Sequence, residues 1–173
     1  GSLLPRVLLM TAPPLPRTPS LTAPGARGTT ALRELPAGRR PIRTEVVDDE
    51  GRVGAYEFIR ERLREGRQAY VVCPLVSESD MTEARAAEVE AERLARGELR
   101  DFRIELLHGQ MPSEAKARAM ERFVAGEADV LVATTVIEVG VDVPNATVML
   151  VEGAERYGLS QLHQLRGRVG RGE

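Results

Sequence analysis

The chain has 173 residues, 42% hydrophobic but only 3% aromatic and without Trp, so it suits one domain built round an aliphatic core. Its formal charge of −2 argues against a generally adhesive nucleic-acid binder, and no apolar run of about twenty residues or signal peptide supports a membrane span or secretion. A single cysteine, Cys73, points to a reducing compartment, expected to be the cytoplasm, and its apolar setting marks it as a small hydrophobe rather than a nucleophile. The charge is uneven: residues 1–43 hold seven Arg against one acid, 44–129 hold 13 basic against 20 acidic residues, and 130–173 hold 4 against 5. A polyanion is therefore expected at the ends of the chain rather than its middle.

Residues 1–41 contain eight of the eleven prolines, including Pro13, Pro14, Pro16 and Pro19. Their fixed φ and missing amide donors rule out a continuous helix or a central strand, so this stretch is expected to be an extended connector from an upstream lobe. Gly1-Ser2 without an initiator Met reads as a cleavage scar on a fragment of a longer protein. Val7 to Ala12 looks like a strand that finishes a sheet of the upstream domain, expected to be poorly ordered or to pair with another molecule once detached.

From Ile42 to Glu173 the pattern predicts one domain of alternating strands and helices. Ile42 to Val47 reads as a strand, and Gly54 to Glu65 as a helix that buries Tyr56, Ile59 and Leu63 and stops at Gly66. A strand over 68–75, an acidic alanine-rich helix over 81–96 and a strand over 102–107 follow. The helix over 113–125 carries the stripe Ala117, Met120 and Val124 and ends at Gly126. Strands at 129–133 and 147–151 precede a last helix with a cap signal at Ser160. This rhythm implies an α/β fold with a parallel sheet covered on both faces.

Ligands of such sheets collect beyond the carboxyl ends of the strands. Those ends carry Pro74-Leu75, His108-Gly109-Gln110, Thr134-Thr135 and Glu152-Gly153, with Gly140-Val141-Asp142 in the loop after one of them. Backbone amides, short hydroxyls and glycines suit phosphate oxygens, so His108, Gly109, Thr134 and Thr135 fit a nucleic-acid backbone track. The plainer alternatives are a threonine that caps a turn and a satisfied loop histidine.

Gln164 to Arg171 spell Q-x-x-G-R-x-G-R. If the helix continues, Gln161, Gln164, Arg168 and Arg171 share one face and Leu162, Leu165 and Val169 an adjacent one, so an apolar stripe docks while guanidiniums project. Planar guanidinium forks match phosphate oxygens, which makes this an arginine-finger layout. Gly167 and Gly170 each weaken a helix by about 1 kcal/mol relative to alanine, so a packing or close-approach reason must offset them. A frayed helix end with solvated arginines is the bland alternative.

In order, a strand over 129–133, the threonine pair, Gly-x-Asp, a strand over 147–151 and Q-x-x-G-R-x-G-R resemble motifs V and VI of superfamily 2 helicases. Leu106 to Met111, Ala69 to Leu75, Glu34 to Thr44 and the unbroken Gln161 to Gly172 are similar to the RecG family of ATP-dependent DNA helicases, nearly continuously from Glu34 to Glu173. The resemblance implies a RecA-like C-terminal motor lobe that acts in the remodelling of branched DNA and stalled replication forks, in recombination and repair. It implies Arg168 and then Arg171 as fingers for the γ-phosphoryl group of ATP, Gly140 and Asp142 near the nucleotide sugar or the fingers, and Gln164 organising the site. It assigns His108, Gly109, Thr134 and Thr135 to the DNA backbone, and Thr11 and Arg17 to coupling hydrolysis to strand movement. Arg166 is better explained as a salt-bridge or DNA-facing residue, with Glu138 as a structural partner.

Nowhere does the chain contain G-x-x-x-x-G-K-S/T or an acidic D-E-x-H-like pair for Mg²⁺. ATP and Mg²⁺ are therefore expected to be held mainly by an upstream motor lobe, with a separate wedge domain choosing the DNA, no metal site in this chain, and no ATPase activity from it alone. At Met10 to Pro19 the chain departs from the family: Pro13 replaces an expected threonine and Pro19 an apolar helix former, which puts coupling through Thr11 and Arg17 in question. A transcription-repair coupling translocase shares the last motif and is the competing enzyme reading. A non-catalytic nucleic-acid or protein-binding module is the competitor from another class, though the acidic middle and lack of stacking aromatics count against it.

Overall fold

The computed structural model describes residues 7–12, 42–48, 50–73, 82–134 and 142–170. In chain order the elements are β1 (Val7–Thr11), β2 (Arg43–Val47), α1 (Gly51–Arg64), β3 (Gln68–Val72), α2 (Glu83–Arg96), β4 (Ile104–Leu107), α3 (Ser113–Val124), β5 (Val130–Ala133), β6 (Ala146–Val151) and α4 (Leu159–Arg166), with a short 3-10 turn over Ala154–Arg156. The strands form one sheet in the order β2-β1-β6-β3-β5-β4.

β3, β5 and β6 are buried at every position, the continuous apolar signature of strands covered on both faces. Side chains alternate between the faces. Tyr70, Val72, Leu131, Ala133, Met149 and Val151 point to one core, closed by Ala119, Met120 and Phe123 of α3 and Leu165 of α4. Ala69, Val71, Val130, Val132, Val148 and Leu150 point to the other, closed by Ala55, Tyr56, Ile59 and Leu63 of α1 and Leu94 of α2. Gly66 and Gly126 end α1 and α3 at φ +96° and +82°, a left-handed turn that glycine enters without steric cost.

Four expectations are corrected. β1 does not belong to a neighbouring sheet: it lies between β2 and β6, antiparallel to both, with Leu9 opposite Glu45 and Leu150. Val7 and Leu9 enter one core and Met10 the other, and a strand apolar on both sides is most stable with a neighbour on each edge. The sheet is consequently mixed, parallel across β6, β3, β5 and β4 but not throughout. In α3 the inward residues are Ala119, Met120 and Phe123, while Val124 is 49% exposed and Ala117 also faces solvent, because the phase that buries the large Phe123 ring prevails. α4 is capped two residues early: Gly158 is the N-cap, its amide donates to Gln161 Oε1 at 2.8 Å, and Ser160 sits exposed in the first turn. The expected connector over 13–41 lies outside the described residues.

Gln68 ties the amino edge of the sheet together. It is 4% exposed; its Nε2 donates to the carbonyls of Phe123 at 2.6 Å and Ala128 at 2.9 Å, and its Oε1 accepts from Asn145 Nδ2 at 3.1 Å. Gln68→Leu preserves volume but removes all three bonds; Phe123 keeps the Gly126 amide and Asn145 the Gly66 carbonyl, while the Ala128 carbonyl loses this partner, so we expect a loss of about 1–3 kcal/mol in the urea-unfolding stability of the chain. An unchanged midpoint would show that the amide bonds contribute nothing net.

Candidate functional site

β4 and β5 run side by side in parallel with Leu107 opposite Ala133, so the loops that begin at His108 and Thr134 leave the sheet together. The Thr134 amide donates to the Leu107 carbonyl at 3.2 Å. The His108 turn is closed locally: the Met111 amide donates to the His108 carbonyl at 3.2 Å, and the Gln110 amide to His108 Nδ1 at 3.2 Å. An accepting Nδ1 in a neutral ring places the ring proton on Nε2. Gln110 Oε1 accepts from the Ala84 amide at 3.0 Å, beside Thr82, whose hydroxyl accepts from the Arg85 amide at 3.0 Å, so the turn is braced on the start of α2. His108 and Thr134 are buried, while Gly109 and Gln110 face solvent.

At the carboxyl ends of β3 and β6 the polar groups are engaged in structure. Glu152 forms a two-point pair with Arg52, at 3.1 and 2.8 Å, and accepts from Tyr56 Oη at 3.3 Å, which fastens α1 over the end of the sheet. Tyr157 Oη donates to the Cys73 carbonyl at 2.9 Å. Burial, with Glu90 and Glu152 adding to it, pushes the Cys73 thiol well above its usual range, which keeps it a neutral thiol.

Two of the expected nucleotide-facing residues, Arg168 and Asp142, meet elsewhere. Because β5 and β6 are both parallel to β3, the chain between them must cross back to the amino edge of the sheet, and it arrives through Asp142 and Val143 to Asn145, whose carbonyl accepts from the Gln68 amide at 3.0 Å. There Arg168 Nη1 donates to Asp142 Oδ1 at 3.4 Å; the Arg168 side chain is 24% exposed and that of Asp142 88%. Two residues on, the Gly170 amide donates to the Ala146 carbonyl at 2.6 Å. A Cβ on Gly170 would overlap the carbonyl oxygens of Val143 and Pro144, so this contact between the Asp142 loop and the arginine motif exists only with glycine. Thr11, 8% exposed and opposite Val148, lies toward the same edge.

The helix does not continue to Arg168, so Gln161, Gln164 and Arg168 do not share the single helical face expected of them. α4 ends at Arg166, after which Arg168 and Val169 donate to the carbonyls of Leu165 and Arg166, three residues back, in a tighter winding that buries Val169 to 1% exposure. Gln164 is exposed on α4. Arg166 donates to the Ile42 carbonyl at 3.5 Å; Glu138, its expected partner, lies outside the described residues along with Arg17, Thr135, Gly140 and Arg171. Thus Asp142, Arg168 and Thr11 come toward one edge of the sheet, and His108, Gly109 and Thr134 occupy the other. Among the described residues no cluster of ligands suits a metal ion, and no helix is long and apolar enough to cross a membrane.

Sequence reading anticipated a packing or close-approach reason for Gly170 but not its partners, the carbonyls of Val143 and Pro144. It did not single out Tyr70, a buried residue of β3 whose hydroxyl has no hydrogen-bond partner among the described residues.

Residues 54–173 match the family described as the helicase conserved C-terminal domain. The whole chain is 52% identical to 25% of the ATP-dependent DNA helicase RecG of Mycobacterium tuberculosis. Over 97% of the chain it is 50% identical to RecG of Synechocystis and of Escherichia coli O157:H7, of which it covers 20% and 24%. The chain therefore spans about a quarter of the length of the curated relatives it matches.

Proposed function

Since the chain belongs to the family of helicase conserved C-terminal domains, we propose that it serves as the second motor lobe of a RecG-type ATP-dependent DNA helicase that remodels branched DNA and stalled forks. ATP is the substrate, bound between this lobe and an upstream lobe that supplies the phosphate-cradling loop and the Mg²⁺ ligands this sequence lacks. Arg168, seconded by Arg171, stabilises charge that develops on the γ-phosphoryl group. Gly140, Asp142 and Gln164 arrange that arginine and the nucleotide sugar. His108, Gly109, Thr134 and Thr135 track the DNA backbone through amides and hydroxyls, and Thr11 and Arg17 link the two events.

The observation that carries this reading is the partly exposed Arg168–Asp142 pair, held at its base by Gly170 and the buried Val169. A guanidinium with a fixed root and a solvent-reaching tip is suited to meet a phosphate presented from outside. The separation of the pair from His108 and Thr134 also suits a motor: closure on ATP at one edge tilts the lobe and displaces the DNA track at the other. The chain alone is expected to show no DNA-stimulated ATP hydrolysis, measured by phosphate release. Turnover by the purified chain at the rate of the intact helicase would overturn the split site, and firm, salt-dependent DNA affinity of the chain by itself would favour a binding module instead.

A further inference from the structure

Tyr70 lies in mid-β3, fully buried, with its ring 5.4 Å from that of Phe123. Its hydroxyl has no hydrogen-bond partner among the described residues, an exception to the rule that buried polar groups are paired and one that calls for a physical reason. It shares its core cluster with Val143 and Val169, the chain neighbours of Asp142 and Arg168, and with Leu165 one turn before. It also feels both charges: burial raises its pKa to about 12, while Arg168 acts to lower it and Asp142 to raise it. Arg168 is equally under-used, since a guanidinium has five N–H donors and this one makes a single bond among the described residues, to Asp142 at 3.4 Å.

We infer that Tyr70 is a positioning residue for Arg168: when the lobe closes on nucleotide, the hydroxyl accepts a guanidinium N–H from the core side while Asp142 holds the fork from the solvent side. The remaining N–H groups are then aligned for phosphate. A buried hydroxyl without a partner carries an uncompensated desolvation cost, which engagement with the guanidinium on closure removes, so the bond adds to catalysis without adding to ground-state stability. The inference rests on the finger role proposed above.

Tyr70→Phe removes one oxygen and tests it. If the hydroxyl is unpartnered in the free lobe, the variant chain melts at or above the wild-type temperature. In the intact helicase the same change is expected to lower kcat for DNA-stimulated ATP hydrolysis about tenfold, the worth of one hydrogen bond to a charged group, with KM for ATP unchanged. A wild-type kcat, or a chain that melts well below wild type, would overturn the assignment. Arg168→Ala run in parallel separates the two layers: its loss of turnover beside a fully active Tyr70→Phe sinks this inference alone, whereas near-normal turnover in Arg168→Ala sinks the finger reading and this inference with it.

Discussion

Arg168→Ala in the intact helicase is expected to reduce DNA-stimulated ATP hydrolysis by roughly 10³-fold or more, the range found for arginine fingers, while leaving the lobe folded. Stability is spared because the residue's bond is a long contact with an aspartate whose side chain is 88% exposed, and such surface pairs contribute only ~0–1 kcal/mol. Activity is not, because a planar fork held near a developing charge acts in the transition state more than in the ground state. The loss should therefore fall on kcat. Arg168→Lys retains charge but not the fork and should recover little. Turnover above half of wild type in Arg168→Ala, alongside an unchanged melting curve, would rule out the finger.

Gly170→Ala should affect both fold and activity. The added methyl meets two backbone carbonyl oxygens, those of Val143 and Pro144, and backbone cannot rotate away as a flexible side chain does. Relief requires the Asp142 loop and the Gly167–Gly170 turn to separate, which also breaks the 2.6 Å bond from Gly170 to Ala146. We expect a loss of about 3 kcal/mol in urea unfolding of the chain, the sum of overpacking and one lost buried bond. In the intact helicase ATP turnover should fall well beyond what the remaining folded fraction explains, because Arg168 and Asp142 are no longer held together. A variant with wild-type stability would show that the close approach is not present in solution.

Much of the architecture was legible because it follows from periodicity. The helix expected over Gly54 to Glu65 with Tyr56, Ile59 and Leu63 inward, which begins three residues earlier at Gly51, and the apolar strands β3, β5 and β6, are local patterns that need no partner to be recognised. Helix ends at Gly66 and Gly126 were equally readable, since a positive φ favours one residue type. Periodicity failed where two phases were both plausible, as in α3, where Ala117 and Val124 lost to Ala119 and Phe123.

The candidate site divides in the same way. Residue types that suit phosphate named Arg168, His108 and Thr134, and the family resemblance named Asp142, but neither gave the distribution of these groups between opposite edges of the sheet. That distribution comes from strand direction: β5 and β6 run parallel, so their connection must traverse the sheet and carry Asp142 away from Thr134. The bracing of His108 through Gln110 on α2 joins residues 26 apart and has no local signature.

By itself, then, the amino-acid order determined the family, the α/β alternation, the burial of the aliphatic strands and the absence of a phosphate-cradling loop, since each is written in residue types or short spacings. Tertiary structure alone decided that Val7–Thr11 enters this sheet between β2 and β6, that Gly170 locks the arginine motif to the Asp142 loop, and that the buried Tyr70 hydroxyl has no partner among the described residues. These depend on backbone pairing and steric fit between segments distant in sequence, where the free energy of contact belongs to the pair and to neither segment alone.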